Sequence, residues 1–93
     1  MNIQWFKNKI EPTLSEFEIK YKYFEEGDFG SLNQVEFNSL TKGGEVDFWS
    51  SGVLAIHLVD YVEGVELMNE FLESKQTKEK ENALRRLQNL LKK

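Results

Sequence analysis

The chain has 93 residues, no cysteine, one proline and a formal net charge of −4. Zero cysteine excludes a disulfide scaffold and a thiolate metal site, and the acidic balance argues against a general nucleic-acid binder. With 40% hydrophobic and 13% aromatic residues, the chain has enough apolar material to fold as one domain rather than stay disordered.

Residues 1–10 read as a short amphipathic helix. Ile3, Phe6 and Ile10 share a face with Trp5 beside it, and Pro12 ends the helix or opens the next element. Residues 15–24 fit two periods. Phe17, Ile19, Tyr21 and Tyr23 alternate with charged residues, as in a strand, while Leu14, Phe17, Tyr21 and Phe24 line one helical face. Gly27 as a C-cap tilts this segment towards helix. A loop over residues 27–31 leads into three predicted strands. Residues 34–40 form the first, with Val35 and Phe37 on one face. Residues 41–44 make the turn, where Gly43 and Gly44 can take positive φ. Residues 45–50 form the second, with Val46 and Phe48 facing one way and Glu45, Asp47 and Trp49 the other. Ser51 and Gly52 turn the chain into the third, residues 53–59, which is apolar on both faces apart from His57.

Asp60 and Glu63 match the acidic form of a capping box. A helix is therefore predicted there, with Tyr61, Val65, Met68 and Leu72 in line and Phe71 alongside. Thr77 is predicted to cap a last helix, with Leu84, Leu87 and Leu91 as its buried stripe. The expected fold is α+β: a small antiparallel meander of about three strands, with an N-terminal and two C-terminal helices packed on it.

Charge is unevenly spread. Residues 25–73 hold eleven carboxylates and one lysine, whereas residues 74–93 hold seven bases and two acids. A solvated face that keeps the protein soluble is the plain reading of such a run. Yet this density exceeds what solubility needs, and a concentrated negative field steers a cationic partner and speeds its association. The basic tail complements the dipole of the last helix, and no aromatics interleave with it as single-stranded nucleic acid would require.

No catalytic residues, no metal site and no cofactor are expected. His57 has no nucleophile partner, so a structural role is the simpler account, with an enzyme built around it as a remote rival. One histidine and scattered carboxylates supply no metal-ligand spacing. Gly43-Gly44 has no following lysine and helix to cradle phosphate. Residues 1–12 lack the apolar run of a signal peptide, and residues 53–59 are too few to cross a bilayer. A cytoplasmic protein with no membrane and no nucleic acid among its partners is expected.

The stretch Gly-Gly-Glu-Val-Asp-Phe-Trp-Ser-Ser-Gly-Val-Leu-Ala-Ile-His-Leu-Val-Asp-Tyr over residues 43–61 resembles segments of small acidic bacterial immunity-type proteins. These neutralise a cognate toxin, including those of contact-dependent growth-inhibition systems. The resemblance covers about a fifth of the chain and implies a tight partner, a toxin domain among the candidates, and no enzymatic activity. It carries no residue roles.

The expected function is thus neutralisation of a basic partner protein. Glu45, Asp47, Trp49, Asp60, Glu63 and Glu66 are the predicted binding face, with Glu25, Glu26 and Asp28 as a second cluster. The rival expectation is a structural homo-oligomer, a homodimer for example, or an accessory subunit of a bacterial complex, using exposed sheet aromatics and the leucine-rich last helix.

Overall fold

The alternating residues of the middle of the chain pair into one antiparallel sheet. In the computed structural model, which describes residues 2–92, five strands follow one another in the order β1-β2-β3-β4-β5. They are β1 (Glu18–Phe24), β2 (Leu32–Asn38), β3 (Lys42–Trp49), β4 (Leu54–Asp60) and β5 (Val65–Leu72). A short helix α1 (Ile3–Trp5) runs on through a π-helical turn, Phe6–Ile10, and a 3-10 turn, Glu11–Thr13. One long helix, α2 (Thr77–Leu91), closes the chain. The class is α+β, but the sheet has five strands where about three were predicted, and one C-terminal helix stands where two were predicted. Met1, the first residue of the predicted N-terminal helix, and Lys93, the last of the basic tail, lie outside the described residues.

The three predicted strands are present as β2, β3 and β4, with shifted bounds. Gly43 and Gly44 lie within β3 rather than in a turn, and neither has positive φ. The turn is made instead by Ser39, whose Oγ accepts from the backbone N–H of Thr41 and of Lys42. Each glycine answers a close approach. A Cβ on Gly44 would run into the His57 carbonyl of β4, and one on Gly43 would run into the Tyr61 phenol.

Residues 18–24 are strand, not helix. Ile19 and Tyr21 face Phe37 and Val35 of β2 in register, so the period of two prevails because a neighbour completes its hydrogen bonds. Gly27 does not cap a helix; its carbonyl accepts from the Gly30 N–H in the following turn. The predicted helix after Asp60 fails for a similar reason. Asp60 does act as a cap, since its Oδ1 accepts from the N–H of Val62 and of Glu63. The Gly64 N–H then closes on the Asp60 carbonyl, and Gly64 takes φ +69°. A single helical turn forms, the left-handed glycine reverses it, and the chain returns as β5 against β4.

Both helical segments cover one face of the sheet, α1 lying against β2 and α2 against β4 and β5. That face holds the core: Phe6, Ile10 and Leu14 from the N-terminal segment; Val35, Phe37, Val46, Phe48, Leu54, Ile56, Leu58, Met68 and Leu72 from the sheet; Ala83, Leu84, Leu87 and Leu91 from α2. Phe37 stacks on Phe6 at 6.2 Å and meets Phe17 edge-on at 6.0 Å. The leucine stripe of α2 is the predicted one. Its start is not capped by Thr77, which is the first helical residue; Gln76 holds the cap position, and its side-chain oxygen accepts from the Glu73 N–H across the preceding turn.

Candidate functional site

The helices leave the second face of the sheet open, and strand alternation decides which side chains stand on it. The register aligns Lys22, Gln34, Asp47, Ala55 and Phe71 in one row across the five strands, and Lys20, Glu36, Glu45, His57 and Asn69 in the next. Trp49 continues the β3 column beyond Asp47. The prediction that Glu45, Asp47 and Trp49 face away from Val46 and Phe48 holds, and the helices cover the Val46 side.

On the β1 side of this face one carboxylate has a direct cationic partner, diagonally across the two rows. The Lys22 Nζ donates to Glu36 Oε1 at 2.9 Å. Towards the middle of the sheet this direct pairing stops. Among the described residues, no lysine or arginine forms an ion pair with Glu45 or Asp47. Asp47 Oδ1 accepts from the Gln34 side-chain amide at 2.8 Å. Both carboxyls are held above their usual range. For Glu45 the cause is partial burial first, then the neighbouring charges of Asp47 and Glu36. For Asp47 burial leads, and the Gln34 hydrogen bond opposes it. The open face therefore carries carboxylates that no lysine or arginine pairs directly among the described residues, with Lys22 and His57 offsetting only part of the charge on Glu45.

Aromatic side chains border this charge. Phe29, Trp49 and Phe71 form a triangle with centroids 5.5, 5.5 and 6.4 Å apart. Phe29 comes from the loop between β1 and β2, which also carries Glu25, Glu26 and Asp28. That predicted second cluster is thus brought to the Trp49 end of the sheet. The predicted helix sets Phe71 alongside its line of Tyr61, Val65, Met68 and Leu72. Phe71 stands 53% exposed on the open face instead, because residues 65–72 are a strand whose Leu72 and Met68 point to the core.

The remaining predicted residues separate. Glu66 faces outward on β5, its Oε2 2.9 Å from His57 Nε2, so His57 is a hydrogen-bonded surface residue beside the carboxylates. Asp60, the last residue of β4, and Glu63, in the turn that follows, sit at the far end of the sheet, away from Trp49. Glu36 and Gln34 belong to the site but were not predicted. The alternation that puts Val35 and Phe37 in the core already placed them opposite. Among the described residues, no cluster of histidine and carboxylate side chains is arranged to hold a metal ion, and no helix is long and apolar enough to cross a membrane.

The class so defined is a small α+β protein whose antiparallel meander is covered on one face and open on the other. No protein-family model matches the chain, and neither a curated protein nor a solved structure shows significant similarity to it.

Proposed function

We propose that this protein binds a basic protein partner through the open sheet face and neutralises it by occupying cationic surface that the partner needs for its own substrate. The observation that carries this reading is the pair Glu45 and Asp47, without a lysine or arginine ion pair among the described residues, beside the Phe29–Trp49–Phe71 triangle. A large aromatic such as Trp49 is a typical interface hot-spot anchor, and hot-spot arginines of a partner are the natural complement of carboxylates. The repulsion among Glu36, Glu45 and Asp47 works against the free protein, and a partner's lysines and arginines would relieve it. Blocking a site this way needs no chemistry from the blocker, in keeping with the immunity-type resemblance of residues 43–61.

A homo-oligomer is the weaker reading. Two copies meeting through this face would set like charges against each other, and Leu84, Leu87 and Leu91 of α2 are already buried in the core.

The test is capture from native cells on immobilised protein, wild type against Glu45→Lys/Asp47→Lys, at low and high salt. The expected result is one dominant basic protein on the wild type, bound more slowly as salt rises and lost from the double variant, with the far-ultraviolet circular dichroism unchanged. Equal retention by the folded double variant would overturn the proposal.

A further inference from the structure

The open face is not flat. Ala55 is the smallest side chain of its row, and it lies between Asp47 on β3 and Phe71 on β5. The result is a depression of about 310 Å³, lined by Glu45, Asp47, Ala55, His57, Asn69 and Phe71 among others. That volume is at the lower end for a ligand-binding cleft, roughly 300–1,000 Å³. Its two long walls differ in chemistry. One is the carboxylate pair of β3. The other is the exposed ring of Phe71, backed by Trp49 and Phe29.

We infer that this depression receives a single arginine side chain of the basic partner, its guanidinium against the Phe71 ring and its N–H groups donating to Asp47 and Glu45. The inference rests on the basic-partner reading and narrows it to one residue type. A bare metal cation finds no ligand cluster here among the described residues. A lysine ammonium is a compact, strongly hydrated point charge, which suits the carboxylate wall but gains little from the aromatic one. A guanidinium is planar and weakly hydrated; it stacks on an aromatic face while its edge still donates to carboxylates. Asp47 keeps capacity for this, because the Gln34 amide occupies only Oδ1. His57 leaves the hydrogen-bonding capacity of Glu45 open, since its Nε2 is turned to Glu66, although its charge also favours the Glu45 carboxylate.

The chain has two tryptophans, so a Trp5→Phe background makes Trp49 the sole tryptophan reporter, 6.4 Å from Phe71. Capped hexa-arginine and hexa-lysine peptides are titrated against it at low salt. Hexa-arginine is expected to bind about tenfold more tightly than hexa-lysine. Ala55→Leu, which fills the depression, is expected to reduce that preference to about twofold or less while leaving hexa-lysine affinity within about twofold. Phe71→Leu, which removes the ring and keeps an apolar side chain, is expected to do the same. Equal affinity for the two peptides, or a preference that survives both substitutions, would overturn the arginine subsite. Equal binding that is lost in Glu45→Gln/Asp47→Asn would remove only the subsite and leave the basic-partner reading standing. Failure of both peptides to bind would count against both.

Discussion

Tyr61 folds back over Gly43, and its hydroxyl donates to the Asn38 side-chain oxygen two strands away from its own end of the sheet. The phenol takes the place of the side chain that Gly43 lacks, and Gly43 is buried beneath it although it lies on the open face. An aromatic covering a strand glycine in this way restores packing that the glycine would otherwise forfeit.

The two adjacent glycines are expected to respond differently to alanine. At Gly43 the new methyl meets the end of a side chain, which can swing out. At Gly44 it meets the backbone of β4, so the strands themselves must part. Gly44→Ala is expected to destabilise the fold by about 1–3 kcal/mol, as overpacking does, and Gly43→Ala by less. Urea denaturation of the two variants checks the order.

Acid should relieve the open face. The Glu45 and Asp47 carboxyls are raised in the folded protein, so the native state binds protons more readily there than the unfolded chain. Their contribution to stability therefore falls as pH rises from the ordinary carboxylate range through the raised values, and is least favourable at neutral pH. Glu45→Gln is expected to raise stability at pH 7 by a few tenths of a kcal/mol, the scale of screened surface charges. The gain should shrink as pH falls through the ordinary glutamate value of about 4.3, because the carboxyl then becomes protonated in the unfolded state as well as the folded one. Melting temperatures across pH 4–7 give the comparison.

Tyr21 ties the N-terminal segment to the edge strand. Its hydroxyl donates to the Glu11 carboxylate, and Lys7 Nζ lies 4.7 Å from the centre of its ring. Partial burial first, and then the Glu11 carboxylate, push the phenol well above its usual value. The stability this contact contributes is complete below the ordinary tyrosine value of about 10 and is lost as pH climbs past it. Tyr21→Phe is expected to cost about 1 kcal/mol at pH 7 and to loosen β1, which hydrogen exchange of its amides would register.

Phe37 is the centre of the core, fully buried between Phe6 and Phe17. Phe37→Ala is expected to cost about 3–5 kcal/mol, the price of a large aromatic deletion. For a domain with about 5–15 kcal/mol in total, that is a substantial share, and chemical denaturation should show a markedly lower midpoint.

Where one period stood alone, the residues were legible. Val35 and Phe37, then Val46 and Phe48, alternate with polar neighbours and lie in the core as expected. The same alternation put Glu45, Asp47 and Trp49 together on the other face. In α2, Leu84, Leu87 and Leu91 fit the helical period and nothing else. At the two sheet edges both periods fit. Phe17 and Tyr21, or Met68 and Leu72, are four residues apart, which returns to the same face in a helix and in a strand alike. Local signals then broke the tie the wrong way: Asp60 does cap a turn, but that turn is only one long. A register shift at Leu58 and Val59 further blurred the alternation of β5.

The sequence by itself determined the α+β class, the central meander, the last helix and the common face of Glu45, Asp47 and Trp49, because each of these follows from side-chain period along a single segment. Tertiary structure decided the rest. Residues 18–24 and 65–72 became strands because β2 and β4 each had an edge to pair. Phe71 reached the open face because β5 alternates there, and Phe29 closed on Trp49 from a loop distant in sequence. Asp60 and Glu63 were carried to the opposite end of the sheet because successive antiparallel strands reverse direction. Periodicity assigns a residue to a face; only pairing between strands assigns that face its neighbours.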